Sequence, residues 1–163
     1  LDSALEQCLA FVRDGSDEPV REIDMATVQG QLLALRECPD DWQLDCPALL
    51  PFAVRPSLIR RAIGNLMDNA ERYGAPPFRL HAGCDDECFF LQVADHGAGV
   101  DATLLDRLGQ PFLRGDPARG GAGTGLGLSI VKRAAELHGG SLQLANAPDG
   151  GFVASLRLPC HRR

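Results

Sequence analysis

Residues 56–73, PSLIRRAIGNLMDNAERY, constrain the fold more than any other stretch. At about 100° per residue, Ile59, Ile63, Leu66, Met67 and Ala70 fall within one arc of roughly 100°. Such a stripe has to lie on an apolar layer. Arg61, Asn65, Asn69, Arg72 and Tyr73 fall on a second arc of roughly 120°. Asn65 and Asn69 are four apart and so stack on one face. Pro56 suits a first helical turn, and Gly74 followed by Pro76 ends the helix. The polar arc has two readings: a solvated surface, or the wall of a ligand cleft. For the cleft reading, an amide oxygen is a neutral hard donor suited to Mg²⁺ shared with phosphates and water. A guanidinium suits phosphate, and an aromatic ring suits a base.

The remainder of the chain supplies the layer. VREIDM (20–25), WQLDC (42–46) and PFAV (51–54) read as short strands, with ATVQGQLLALREC (26–38) a helix starting near Thr27. FRLHAG (78–83) and CFFLQVAD (88–95) alternate around CDDE as a hairpin, and SLQLAN (141–146) with GFVASLRLP (151–159) makes a second around APDGG. DATLLDRL (101–108) predicts a short helix, 109–124 a loop rich in Gly, Pro and Arg, and 125–138 a further helix. Regular β-α-β alternation is missing. The expected fold class is therefore α+β: a two-layer sandwich with a mixed, mostly antiparallel sheet covered by helices on one face. Residues 1–13 carry Leu5, Cys8, Leu9 and Val12 at helical spacing, and DGSDEP (14–19) breaks the pattern like a linker. Residues 20–163 form the one remaining domain, a usual domain size.

Composition removes several function classes. The net charge is −6 and no run of Lys and Arg exceeds two residues, so nucleic-acid or anionic-membrane binding has no support. No apolar run approaches the ~18 residues of a membrane span. The chain opens on Leu1 without a signal-peptide pattern, as expected of a piece of a longer protein. Six cysteines, Cys8, Cys38, Cys46, Cys84, Cys88 and Cys160, lack a second pair at metal-ligand spacing and read as thiols in a reducing compartment.

Two glycine patterns carry chemistry. In GGAGTGLGLSIV (120–131), Gly123, Gly125 and Gly127 precede a helix with Leu128, Val131, Ala134 and Ala135 as apolar members. Backbone N–H groups at a helix start attract phosphate, and Cβ atoms would obstruct that approach. The Lys-Ser/Thr ending of a P-loop is missing, and no strand directly precedes the run as a dinucleotide fingerprint requires. Arg114 and Arg119 on the preceding loop either reach phosphates or stay solvated. In VADHGAGV (93–100), Asp95-x-Gly97-x-Gly99 ends a strand. It is either a plain turn, or a carboxylate that accepts from an exocyclic amine beside glycines that admit a flat ring.

Taken together, these residues resemble the ATP-binding catalytic domain of sensor histidine kinases, within the GHKL (Bergerat) superfamily. NLMDNAERY (65–73) is similar to the family's N box, Asp95 to Gly99 to its first glycine box, QPFLRGD (110–116) to its phenylalanine loop, and GTGLGLSIV (123–131) to its second glycine box. Order and spacing agree over roughly residues 55–159, with NAERYG nearest the osmosensor (EnvZ-type) branch. The resemblance implies a Bergerat sandwich holding ATP and Mg²⁺. It gives Asn69 to the metal and Asn65 a place beside metal and phosphates. It gives Arg72 and Arg114 to phosphates, with Asn65 and Arg114 in catalysis, and Tyr73 to adenine or ribose. It gives Asp95 to the adenine amine, flanked by Gly97 and Gly99, and Phe112 to the lid. Gly123, Thr124, Gly125, Leu126, Gly127 and Leu128 would line the triphosphate. By the same resemblance, residues 1–13 end a dimerisation helix and 14–19 form the hinge.

The family transfers phosphate to a histidine in a His-Glu/Asp-x-x-x-Pro setting. His81, His96, His138 and His161 lack it, and His138 in HGG is expected to be structural. The implied protein is a homodimeric bacterial inner-membrane sensor with its kinase part in the cytosol and a response regulator as partner; this piece is expected to be monomeric. Related ATPases use a glutamate four residues before the metal asparagine to activate water. Here that position is Asn65, which is no base at neutral pH. Transfer to a protein is thus expected over hydrolysis, with a non-catalytic nucleotide-binding module as the other alternative.

Overall fold

The computed structural model describes residues 17–47, 50–105 and 127–160. Strand β1 (Arg21–Asp24) runs into helix α1 (Met25–Ala34). A 3-10 turn at Pro39–Asp41 leads to β2 (Trp42–Asp45), and β3 (Pro51–Val54) precedes α2 (Pro56–Tyr73). The hairpin β4 (Phe78–Cys84) and β5 (Cys88–Ala94) is followed by α3 (Ala102–Leu105). Helix α4 (Gly127–Leu137) precedes the second hairpin, β6 (Ser141–Asn146) and β7 (Phe152–Pro159).

Five strands form one sheet in the order β2-β4-β5-β7-β6, and β1 pairs antiparallel with β3 apart from it. β2 lies parallel to β4, from Trp42 opposite Phe78 to Asp45 opposite His81; the other pairings are antiparallel. The expected mixed, mostly antiparallel sheet is the one observed. Its inner face follows the period-two pattern. In β7, Phe152, Ala154, Leu156 and Leu158 are buried while Val153, Ser155, Arg157 and Pro159 are half-exposed. Leu80, Ala82, Leu91 and Val93 extend that face across β4 and β5. The α2 stripe of Ile59, Ile63, Leu66, Met67 and Ala70, joined by Leu58 and Ala62, belongs to the same core as Val131, Ala134 and Ala135 of α4. Each fully buried Leu, Ile or Met there contributes about 1.5–3 kcal/mol.

Helix α2 has the bounds its sequence predicts. Helix α1 starts earlier than the expected Thr27: Asp24 takes the N-cap position in extended conformation, and the Thr27 hydroxyl donates back to its carboxylate at 2.7 Å. Asp24 is held there by a long-range tie, accepting from Leu50 N–H at 2.9 Å while Met25 N–H donates to Leu50 O. The edge strand β2 is fastened to α2 by Trp42 Nε1, which donates to Glu71 at 3.0 Å, with the Trp42 and Phe78 rings 4.9 Å apart. Arg36 bridges Asp68 and Glu71 on the same helix.

The start of α2 is held from two distant places. The Glu18 carboxylate accepts from Ser57 N–H at 3.0 Å and Leu58 N–H at 3.1 Å, and the Arg55 guanidinium donates to Glu18 O at 2.6 Å. Two orphan donors of the first helical turn are thereby satisfied. Burial pulls the Glu18 carboxyl upward; the Ser57 and Leu58 hydrogen bonds and the Arg61 charge outweigh it and hold the group below its ordinary value. From the other side, His138, the residue after α4, accepts Arg55 N–H on Nε2 at 3.0 Å and donates from Nδ1 to Ala134 O at 2.6 Å. The imidazole is therefore the neutral Nδ1–H tautomer in a structural role.

Residues 1–13, positions 14–16 of the linker and the loop 109–124 lie outside the described residues. Cys38, Cys46, Cys84, Cys88 and Cys160 carry free thiols. Among the described residues, no helix is long and apolar enough to cross a membrane.

Candidate nucleotide site

Because His138 meets Arg55, the end of α4 sits at the start of α2, and the two helices pack against each other. At about 1.5 Å per residue, the eleven residues of α4 place Gly127 about 16 Å from that contact along the axis of α4. The positive end of the α4 backbone dipole lies at Gly127. Gly127 opens α4, and Leu128 is half-buried against the core.

Asn65 and Asn69 are half-buried, Tyr73 likewise, and Arg72 is exposed. Asn65 Nδ2 is buried and lacks a hydrogen-bond partner among the described residues. An unpaired buried donor costs about 1–3 kcal/mol. A ligand oxygen is the natural acceptor for it.

Asp95 follows β5 and is 5% exposed. Its Oδ1 accepts from Gly97 N–H at 2.8 Å and from Phe152 N–H at 3.3 Å. Its backbone N–H donates to Phe152 O at 3.1 Å. The carboxylate is thus fixed by main-chain donors, and no cationic side chain among the described residues bonds to it. Gly97 packs on the end of α2: a Cβ there would stand 3.0 Å from Gly74 Cα. Gly99 has φ +78°, a left-handed conformation that favours glycine. Asn146, at the end of β6, clamps that turn, accepting from Val100 N–H at 2.8 Å and donating to Val100 O at 2.6 Å.

The structure therefore brings Asp95, Gly97 and the α2 terminus together, with Asn65, Asn69 and Tyr73 on that helix. Phe112, Arg114, Gly123, Thr124, Gly125 and Leu126 lie outside the described residues, as does Arg119. Sequence reasoning missed Asn146 and Gly151, whose Cβ would stand 2.0 Å from Asp95 O. Both belong to the second hairpin, which reads locally only as strand and turn.

An adenine nucleotide fits these groups: a buried donor lacks an acceptor among the described residues, and a fixed carboxylate stands beside glycines. Among the described residues, no group of three His, Cys, Asp or Glu side chains is placed to hold a metal. The half-buried Asn69 amide oxygen has the chemistry for Mg²⁺, since a neutral hard donor suits an ion carried largely by phosphates and water.

Residues 54–162 match the family described as histidine kinase-, DNA gyrase B- and HSP90-like ATPases, and the chain belongs to it. Within that family it is an ATP-binding catalytic domain of the sensor histidine kinase type. It is 41% identical over 109 residues to the sensor histidine kinase GtrS of Pseudomonas aeruginosa, covering 67% of this chain and 22% of that protein. It is 37% identical over 117 residues to the sensor protein CreC of Escherichia coli, covering 71% and 25%. The NMR structure of the histidine kinase domain of the E. coli osmosensor EnvZ aligns with a TM-score of 0.69 at 32% identity, over 89% of this chain and 91% of that one. The chain spans about a quarter of the length of GtrS and CreC.

Proposed function

We propose that this domain binds Mg²⁺-ATP between the polar face of α2 and the segment 109–124, and passes the γ-phosphoryl group to a histidine on a dimerisation domain outside this chain. The observation that carries the reading is Asn65: a buried amide donor without an acceptor among the described residues, at the position where hydrolysing relatives of the fold hold a glutamate. It offers a hydrogen bond to a phosphate oxygen and no base for water.

The metal, when bound, offsets the charge on the phosphoryl oxygens. Asn69 holds it through the amide oxygen. Asn65 donates to phosphate, and Arg72 and Arg114 contribute cationic donors. Asp95 accepts from the adenine amine through the oxygen not engaged by Gly97 and Phe152. Gly97 and Gly99 admit the ring, and Tyr73 packs against base or ribose. Phe112 positions the lid, and Gly123, Thr124, Gly125, Leu126, Gly127 and Leu128 line the triphosphate at the start of α4. The sensor names of the relatives support a full-length homodimeric bacterial inner-membrane phosphoprotein whose kinase part lies in the cytosol and hands phosphate to a response regulator.

The test has two parts. Calorimetry with a non-hydrolysable ATP analogue is expected to show binding that strengthens with Mg²⁺. Labelled ATP with a dimerisation domain supplied in trans is expected to label its histidine, and Asn69→Ala to abolish the label without unfolding the domain. Binding without transfer would favour a regulatory module; release of free phosphate would favour an ATPase. Full activity in Asn69→Ala would remove the metal assignment.

A further inference from the structure

The residue that closes α2 stands against the carboxylate of Asp95. Gly74 has φ −100° and ψ −162°, an extended conformation that any residue adopts. Its backbone therefore makes no demand for glycine. The demand is steric. A Cβ at position 74 would stand 2.3 Å from Asp95 Cγ, 2.4 Å from Oδ2 and 2.6 Å from Asp95 Cβ. The carboxylate fills the volume that any other residue's side chain would enter.

Neither partner has room to retreat. Gly74 N–H donates to Ala70 O at 2.8 Å, fixing it to the helix. The next residues are tied to the Asp95 loop, since His96 N–H donates to Ala75 O at 2.9 Å and His96 Nδ1 meets Pro77 O at 2.6 Å. Behind Asp95, Gly151 already leaves no space for a Cβ, and Phe152 is bonded to Asp95 through both backbone groups. A side chain at position 74 thus turns the carboxylate out of its rotamer and away from Gly97 N–H. Asp95 Oδ2, which accepts from no described group, moves with it.

We propose that Gly74 is a positioning residue for base selectivity. Its missing side chain creates the slot in which the Asp95 carboxylate is held, with one oxygen engaged by main-chain donors and the other presented to an amine-bearing purine. This rests on the reading of Asp95 as the adenine acceptor, and the experiment separates the two.

ATP and inosine triphosphate, which carries a keto oxygen in place of the 6-amine, are titrated in Mg²⁺ buffer against the full chain and its Gly74→Ala and Asp95→Asn variants. A hydrogen bond to a charged acceptor predicts about tenfold tighter binding of ATP by the unsubstituted chain. Both variants are expected to reduce that ratio to about twofold or less, chiefly by weakening ATP. A general loss of structure would weaken both nucleotides alike. If Asp95→Asn collapses the ratio and Gly74→Ala preserves it, the role of Gly74 is overturned while the adenine reading stands. If Asp95→Asn leaves the ratio intact, the adenine reading itself is wrong and the Gly74 proposal goes with it. Should Gly74→Ala fail to fold, the pair Gly74→Ala with Asp95→Gly, which empties the slot, is expected to recover the melting transition of Asp95→Gly alone. A pair as unstable as Gly74→Ala overturns the proposal.

Discussion

Replacing His138 with leucine removes two hydrogen bonds at once. One is the Nδ1–H donated to Ala134 O at 2.6 Å, and the other is the Arg55 N–H accepted by Nε2 at 3.0 Å. At about 0.5–1.5 kcal/mol for each, the loss is about 2 kcal/mol near pH 8. For a domain of this size that lowers the melting temperature by about 4–8 °C. The pH dependence makes the prediction specific. Burial pushes the imidazole pKa down, the bond to Ala134 O opposes this, Arg55 adds to the fall and Glu18 resists it, leaving a net decrease. The unfolded chain therefore takes up the proton first, near its ordinary value of about 6.5. Stability from this group is complete above that pH and is lost as pH falls toward the folded value, by up to about 1.4 kcal/mol per unit. Urea unfolding of both proteins from pH 8 to pH 5.5 is the assay, because other titrating groups cancel in the difference. The gap between unsubstituted and His138→Leu chains is expected to shrink as pH falls below about 6.5. A gap that stays constant, or one under about 0.5 kcal/mol at pH 8, would refute the two-bond account.

Three further outcomes are expected. Gln29 is fully buried, and neither its Oε1 nor its Nε2 has a partner among the described residues, so Gln29→Met should raise stability by about 1–3 kcal/mol with an unchanged urea slope. A lowered midpoint would mean that the amide is satisfied. Gly140→Ala places a Cβ 1.9 Å from Arg157 O, a backbone atom of β7, and should cost about 1–3 kcal/mol; a loss too small to measure would contradict that contact. Glu18→Gln weakens the anionic cap on α2 by about 0.5–1 kcal/mol near pH 7. The folded carboxyl titrates below its ordinary value, so its stabilisation is present above the ordinary pKa and fades as pH falls through the folded one. The difference between the two proteins should accordingly vanish in strong acid, and persistence there would assign the effect to something other than charge.

Local chemistry made part of this molecule legible. Helix α2 announces itself through Pro56, Gly74 and an unbroken apolar stripe, and β4 to β7 through alternation on either side of polar turns. Asp95 stands out by its spacing to Gly97 and Gly99, and the two asparagines by standing four apart on one helix face. What stayed hidden depends on partners far away in the chain. The start of α1 is set by Asp24 meeting Leu50, a contact that no helix propensity encodes. The parallel pairing of β2 with β4 joins four residues to a strand more than thirty positions on. Gly74 reads as a plain helix terminator until Asp95 is seen beside it, and Asn146 reads as a strand end until Val100 is found on its amide.

The tie between His138 and Arg55 has a mechanical consequence. Two rods riveted at one tip still differ in spread at the other, and the spread is greatest farthest from the rivet. In this domain the riveted tip is at the opposite end of α4 from Gly127, so any splaying of α4 from α2 is felt most at Gly127 and least at the imidazole.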